Sequence, residues 1–187
     1  MRRRRFIITA LSLALAACGA RQRTPALSDP VLDELFARLA EATSANDAAP
    51  IEQAIWARWA DSGSPTVDVL LERAAAAESD GDAELAIGFL DQASALAPAY
   101  AEPWSRRATL AYRAQDFSGA VAAIQETLKR EPRHFAAMTW LGQIYEELGQ
   151  VRRALEAYRG ALGVHPHYET ALEGVRRLEL RVDGRDA

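Results

Sequence analysis

Side chains that could catalyse a reaction or hold a metal ion are few in this chain of 187 residues. There are three histidines, His134, His165 and His167, and a single cysteine, Cys18. His165 and His167 lack the i,i+4 spacing with which one helix presents two histidines to a metal, and no cysteine lies near them. Acidic pairs fall at expected turns and helix surfaces, and the sequence has neither a glycine-rich phosphate loop nor a nucleophile elbow. We therefore expect no enzyme, no metal site and no cofactor.

The thiol of Cys18 is the one reactive group with an informative setting. Four arginines, Arg2 to Arg5, open the chain, an apolar run covers residues 6–15, and small residues lead up to the cysteine. These are the three parts of a secretory signal. The apolar run of about ten residues is too short to span a bilayer as a mature helix.

The four residues Leu15-Ala16-Ala17-Cys18 resemble the lipobox of bacterial lipoproteins. The resemblance implies cleavage after a signal peptide of residues 1–17, diacylglycerol on the Cys18 sulfur and an acyl group on its new amine. Several acyl chains would hold the protein on the periplasmic side of a membrane, and the absence of Asp at position 19 favours the outer one. Ordinary cleavage with Cys18 incidental is the alternative, and Sec or twin-arginine export stays open. Residues 18–28 show no periodicity and form a tether.

Composition favours helices and argues against nucleic-acid binding. Alanine dominates the apolar residues, and aromatic residues make up only 7% of the chain. The net charge is −4, and without the four signal arginines 18 basic residues face 26 acidic ones. An acidic mature chain is a poor partner for a phosphate backbone.

The clearest hydrophobic pattern in the sequence predicts a helical hairpin. In Leu141 to Pro166, two apolar stripes at three- and four-residue spacing flank Gly149. The second stripe, with Ala154, Tyr158, Ala161 and Pro166, has two earlier copies at one constant interval. They are Ala120, Ile124, Thr127 and Pro132, and then Ala86, Leu90, Ala93 and Pro98.

This spacing resembles the tetratricopeptide repeat, a 34-residue unit of two antiparallel helices. The resemblance implies an all-α fold, a right-handed superhelix of helical hairpins, with units at 67–100, 101–134 and 135–168 inside a repeat region of 66–168. Residues 29–65 form a further hairpin that does not keep the repeat spacing, and we expect this N-terminal hairpin to cap the first unit. Residues 169–187 are expected to form a capping helix and tail over the last unit.

The resemblance also implies a binding surface, because the first helices of such hairpins line the inner face of the superhelix. The predicted partner-binding residues are Ser105, Thr109, Tyr112, Arg113, Thr139, Gln143 and Glu146. Tyr112 and Arg113 are the expected anchors, since aromatic and guanidinium groups are frequent hot spots; packing of Tyr112 inside the repeat is the alternative. The expected function is a membrane-anchored scaffold that binds a protein or peptide in the bacterial envelope. A self-assembling structural module, and a module that binds peptidoglycan or another carbohydrate through Trp56 or Trp59, are the alternatives.

Overall fold

The computed structural model describes residues 29–183, and Cys18, the signal segment 1–17 and the tether 18–28 lie outside that range. Within it the chain is all-helical, with nine helices in sequence and no strand. Among these residues no helix is long and apolar enough to cross a membrane. The helices are α1 (Pro30–Glu41), α2 (Ala45–Ala60), α3 (Pro65–Ser79), α4 (Ala83–Leu96), α5 (Glu102–Arg113), α6 (Phe117–Arg130), α7 (Phe135–Glu147), α8 (Val151–Val164) and α9 (Glu169–Asp183).

The pairs α3–α4, α5–α6 and α7–α8 are the three hairpins that the repeat pattern predicts, and we call them the first, second and third repeat hairpins. Each turn has one residue in the left-handed region: Gly81, Gln115 and Gly149, with φ of 80°, 60° and 69°. The backbone closes each turn with a bond back to the first helix, as in Asp82 N–H to the Ala77 carbonyl at 2.9 Å. Gln115 adopts a conformation that costs a side-chain-bearing residue about 1 kcal/mol more than glycine.

Small residues at the repeated positions allow the two helices of each repeat hairpin to pack closely. Ala86, Ala120 and Ala154 are fully buried, as are Leu90, Ile124 and Tyr158 one turn later. The Tyr158 ring packs between Gly142 and Gly174. A Cβ atom at either glycine would come within 2.7 Å of the ring, so a larger residue would not fit there. The recurring alanine therefore marks the line of closest approach, as the sequence predicts.

Helix α9 covers the third repeat hairpin, and the predicted C-terminal capping helix is confirmed. Ala171 and Leu178 of α9 are buried in the same cluster as Tyr158 and Ala161 of α8. Arg177 donates from both its Nε and Nη2 to the carboxylate of Glu146 on α7, at 2.8 and 2.7 Å. Apolar contact and a bidentate ion pair together fix α9 on this end.

The expectation that the N-terminal hairpin, α1–α2, caps the first repeat is wrong. Its buried side chains belong to the cluster of the third repeat hairpin and α9, and the buried cluster of the first repeat hairpin contains none of the described residues of α1 or α2. The N-terminal hairpin instead lies along the segments that follow the three repeat hairpins, 97–101, 131–134 and 165–168, which we call the junction edge.

Helix α2 contacts all three segments of the junction edge in turn. Tyr100 donates its hydroxyl to the Ala60 carbonyl at 3.0 Å. Close by on α2, the Trp59 ring stacks on His134 with centroids 4.1 Å apart. Nearer the start of the helix, Glu52 Oε2 lies 3.1 Å from His165 Nε2. The pattern of Ile51, Ile55 and Trp59 correctly predicts which face of α2 is buried, but the aromatic junction residues decide where that face packs.

His134 is a buried titratable group of this interface. Its Nδ1 accepts the backbone N–H of Ala137 at 3.2 Å, which caps α7. Burial lowers the pKa of His134 to about 4, because the imidazolium would lose its hydration beside Trp59. The residue is therefore neutral at pH 7 and caps the first turn of α7.

Candidate partner-binding site

The predicted binding residues lie on α5 and α7, and only some of them line a cleft of the structure. An open cleft of about 340 Å³ lies between α3 and α5. Its lining consists of Ala75, Glu78 and Ser79 from α3 and Arg106, Thr109 and Arg113 from α5. Two of the seven predicted residues, Thr109 and Arg113, therefore line it.

Arg113 is the most available cation of the cleft. Its side chain is 66% exposed, and its Nη1 lies 3.7 Å from Glu78 Oε2, a loose ion pair across the cleft. A pair this exposed is worth little, so a partner carboxylate or carbonyl could take the place of Glu78 at small cost. The guanidinium offers a planar set of donors for that purpose.

Arg106 forms the fixed floor of the cleft. Its Nε donates to Glu102 Oε1 at 2.8 Å, and its Nη1 donates to the Leu71 carbonyl at 3.2 Å. Burial raises the pKa of Glu102, and the ion pair with Arg106 opposes that shift. The cleft therefore has two kinds of hydrogen-bond donor. Arg106 is held in place by α3 and α5, whereas Arg113 can change its conformation.

Ser105 and Thr109 are half-buried neighbours on α5. The Thr109 hydroxyl donates to the Ser105 carbonyl at 3.3 Å. This bond is local to the helix, so the Thr109 hydroxyl keeps its capacity to accept a bond from a ligand. Ser105 does not line the cleft itself.

Tyr112 packs between the second and third repeat hairpins. Its ring meets Trp140 edge-on, with centroids 5.2 Å apart, and lies 6.0 Å from the ring of Phe117. The hydroxyl donates to Glu147, and this bond, with burial second, raises the pKa of Tyr112. The alternative interpretation of Tyr112, a packing residue, therefore describes its contacts better than an exposed anchor does.

The third repeat hairpin contributes less to a binding surface than the sequence suggests. Thr139 is buried, and its hydroxyl donates to the Phe135 carbonyl at 3.0 Å. Glu146 accepts from Arg177 and, at 3.2 Å, from the hydroxyl of Tyr158. Gln143 is half-buried. Helix α9 thus engages part of the face that the repeat pattern assigns to a partner.

The cleft residues that the sequence analysis misses belong to the first repeat hairpin. They stand one repeat before Thr109, Tyr112 and Arg113, and they are Ala75, Glu78 and Ser79. The same repeat interval that relates Ala86, Ala120 and Ala154 of the second helices also relates these positions of the first helices. Their residue types do not mark them, because α3 has Glu78 and Ser79 where α5 has an aromatic ring and a guanidinium.

Two comparisons with known protein sequences both identify tetratricopeptide repeats. A family model described as tetratricopeptide repeat matches residues 105–172. A TPR repeat-containing protein of Rhizobium etli is 35% identical over 153 residues, which cover 82% of this chain and 75% of that protein.

Solved structures of similar fold come from several sources. The TPR domain of Arabidopsis OM64 has a TM-score of 0.57 at 23% identity and covers 62% of this chain and 96% of its own. The first TPR domain of RPAP3, solved with an HSP90 peptide, has a TM-score of 0.58 at 18% identity over 63% and 94% of the two chains. A crystal structure of MamA has a TM-score of 0.57 at 19% identity over 74% and 78%.

Proposed function

Because the chain belongs to the tetratricopeptide repeat proteins, whose hairpins serve as protein-interaction modules, we propose that it is an adaptor that binds a protein or peptide in the cleft between α3 and α5. The bacterial envelope is the proposed setting, with Cys18 as the lipid anchor. The observation that carries the binding site is the pairing of a loose and a fixed arginine, Arg113 and Arg106, beside the hydroxyl of Thr109.

The chemistry of the cleft favours an extended peptide that offers carboxylate or carbonyl oxygens. Arg113 provides a charged donor group for these acceptors, and Glu78 and Ser79 on the facing helix can bind backbone N–H groups of the same peptide. The bound peptide would replace the Glu78–Arg113 pair, which is long and has an exposed arginine. The affinity then depends on how many contacts within the cleft the peptide replaces with its own.

Site-specific photocrosslinking in living cells tests the cleft. A photoreactive amino acid at Thr109 of the full chain should give an adduct with a defined protein, and Arg113→Ala should reduce its yield about tenfold, the effect of losing a charged hydrogen bond of roughly 1.5 kcal/mol. Arg152→Ala is the matched control, since Arg152 is an exposed arginine on α8 that lies outside the cleft. An adduct that survives Arg113→Ala as well as it survives Arg152→Ala would remove the cleft from the proposal.

The proposed anchor has its own experiment. Cells grown with a labelled fatty acid should incorporate the label into the wild-type chain and not into Cys18→Ser. The variant should also leave the membrane fraction, because the acyl chains supply the attachment. Density-gradient separation of inner and outer membranes then locates the wild-type protein. A labelled Cys18→Ser chain, or an unlabelled wild type, would contradict lipidation at this cysteine.

The peptidoglycan alternative receives little support from the two tryptophans assigned to it. Trp59 is buried and stacked on His134, and Trp56 lies edge-on to Trp59 with centroids 5.2 Å apart. Trp59 has no open face for a sugar, and Trp56, which is 38% exposed, would have to bind one alone. The self-assembly alternative concerns another surface, the exposed end of the first repeat hairpin.

A further inference from the structure

One end of the repeat array exposes apolar side chains at positions that are buried in the other repeats. Val69 and Ala76 of α3 are exposed, whereas their equivalents in the next repeat, Pro103 and Leu110, are buried. Leu110 packs in the cluster of the first repeat hairpin, so the preceding hairpin covers this face of α5. The next equivalent of Ala76, Ile144, is buried in the same way in the cluster of the second repeat hairpin. Among the described residues, the first repeat hairpin has no such cover.

Second-helix residues extend this exposed face. Leu85 and Leu96 of α4 are 49% and 60% exposed, and Phe89 between them is half-buried. Gly119, the equivalent of Leu85, lines a cavity that Ala83 and Ile87 of the preceding hairpin help to close. Leu85 therefore stands where the second repeat has a partly covered glycine. We call the face formed by Val69, Arg73, Ala76, Asp80, Leu85, Phe89 and Leu96 the open end.

Two charges on the open end are arranged for pairing with a copy of themselves. Arg73 of α3 and Asp80, the residue that caps the end of this helix, lie on one stripe, two turns or about 10.5 Å apart, with Ala76 between them. Within residues 29–183 Arg73 makes a cation–π contact with Phe89, at 6.0 Å, and no ion pair. Its equivalent Arg107 pairs with Asp91 of the preceding hairpin. Arg73 thus occupies a position at which the inner repeat meets a carboxylate.

We propose that two copies of this chain pair through their open ends, with the two α3 helices antiparallel and Ala76 near the two-fold axis. In that arrangement Arg73 of each copy lies opposite Asp80 of the other, so the charges match twice. Val69, Leu85 and Leu96 are removed from water, and the small side chain of Ala76 lets the two helices approach closely. The cleft that holds Arg113 is on another face of α3, so this pairing goes beyond the proposed adaptor function and does not depend on it.

Cysteine crosslinking in native membranes tests the pairing directly. Ala76→Cys in the full chain should form a disulfide-linked species of twice the chain mass on mild oxidation, because residues at a two-fold axis approach within disulfide distance. Ala75→Cys is the matched control: it is also an exposed alanine of α3, but it lines the cleft. Coexpressed copies with two different tags should both appear in the linked band. Linkage of Ala76→Cys that is no greater than that of Ala75→Cys, or adducts only with other proteins, would overturn the proposal.

Charge reversal tests the orientation of the two helices. On the Ala76→Cys background, Arg73→Glu and Asp80→Arg should each reduce the linked fraction about tenfold, because like charges would then face each other twice. The double variant exchanges the two charges and should restore linkage. These are exposed positions, so the fold is kept, and circular dichroism verifies it. A double variant as poorly linked as the single ones would exclude the antiparallel arrangement.

Discussion

The two ends of the repeat array differ in how they are covered, although the repeats themselves are in register. At the last end, which we call the closed end, α9 and the N-terminal hairpin join the third repeat hairpin in one buried cluster that includes Phe36, Trp59, Phe135 and Tyr158. At the first end, Val69, Leu85 and Leu96 are exposed to solvent. The first repeat hairpin has a cluster of aliphatic residues only, apart from half-buried Phe89 and Tyr100.

Chain order does not determine which end of this solenoid is capped. Solenoid repeats contact mainly their neighbours, so an end needs a dedicated cover. The N-terminal hairpin would be the nearest cover for α3 in sequence. It lies instead on the junction edge, where His134, Phe135 and Tyr168 provide aromatic partners for its tryptophans and the cluster around them. Stability should therefore be concentrated at the last end, leaving the first end available for association.

Truncating the central buried residue of each end should give the largest effects. Tyr158→Ala removes a fully buried ring and should lower the free energy of unfolding by about 4 kcal/mol, and Leu90→Ala, its equivalent at the first end, by about 3 kcal/mol. Urea denaturation measures both values.

Amide hydrogen exchange tells the two variants apart by location. In Tyr158→Ala, exchange should accelerate in α1, α2, α7, α8 and α9, whose buried residues share its cluster. In Leu90→Ala, the acceleration should be confined to α3, α4 and the last turn of α5, where Leu110 shares the cluster of Leu90. Leu148→Ala, at an exposed leucine, controls for surface truncation. Equal acceleration along the chain in both variants would mean that the ends are not separate units of stability.

Acid should weaken the closed end selectively through His134. Its pKa is about 4 in the folded protein and about 6.5 in the unfolded chain, so the unfolded state binds more protons between these values. Stability is therefore complete above pH 6.5 and falls as the pH is lowered towards 4, by up to about 3 kcal/mol in total.

His134→Asn isolates this contribution, because Asn keeps an acceptor for the Ala137 N–H and does not titrate. Urea denaturation of both proteins at pH 7 and pH 4.5 gives the difference, and common carboxylate effects cancel. We expect the variant to be less stable than wild type at pH 7, through lost stacking on Trp59, and to show the smaller loss on acidification. Parallel losses in the two proteins would show that His134 is not the group responsible.

Much of the array could be predicted from sequence because the repeat is a local device. Ala86, Ala120 and Ala154 recur at a fixed step, and the hairpin that each implies is complete within a single repeat. The position of the N-terminal hairpin could not be predicted in this way. Ile51, Ile55 and Trp59 identify a buried face but not its partner, which includes Phe135 at the start of the third repeat hairpin.

The binding site was predicted less well than the fold for a related reason. Position within a repeat gives the side of the helix, whereas exposure depends on the neighbours. Thr139 shares its repeat position with half-buried Ser105 but is itself buried, and Glu146 is engaged by Arg177 of α9. Arg113 remains accessible because the facing residues of α3 are small or loosely paired.

The smallest expected change in the free energy of unfolding comes from truncating the same repeat position at the two ends. Val164 is half-buried and packs on the cluster of the closed end, whereas Leu96, at the same position of the first repeat, is 60% exposed. Removing two methyl groups by Val164→Ala should cost about 1 kcal/mol, as burial of an apolar side chain is lost in proportion to its area. Leu96→Ala should change the free energy of unfolding by less than about 0.5 kcal/mol, since the side chain meets water in both states. Urea denaturation at high dilution keeps association from contributing. If Leu96→Ala costs as much as Val164→Ala under these conditions, the first end is covered within the single chain, and the contrast between the two ends fails.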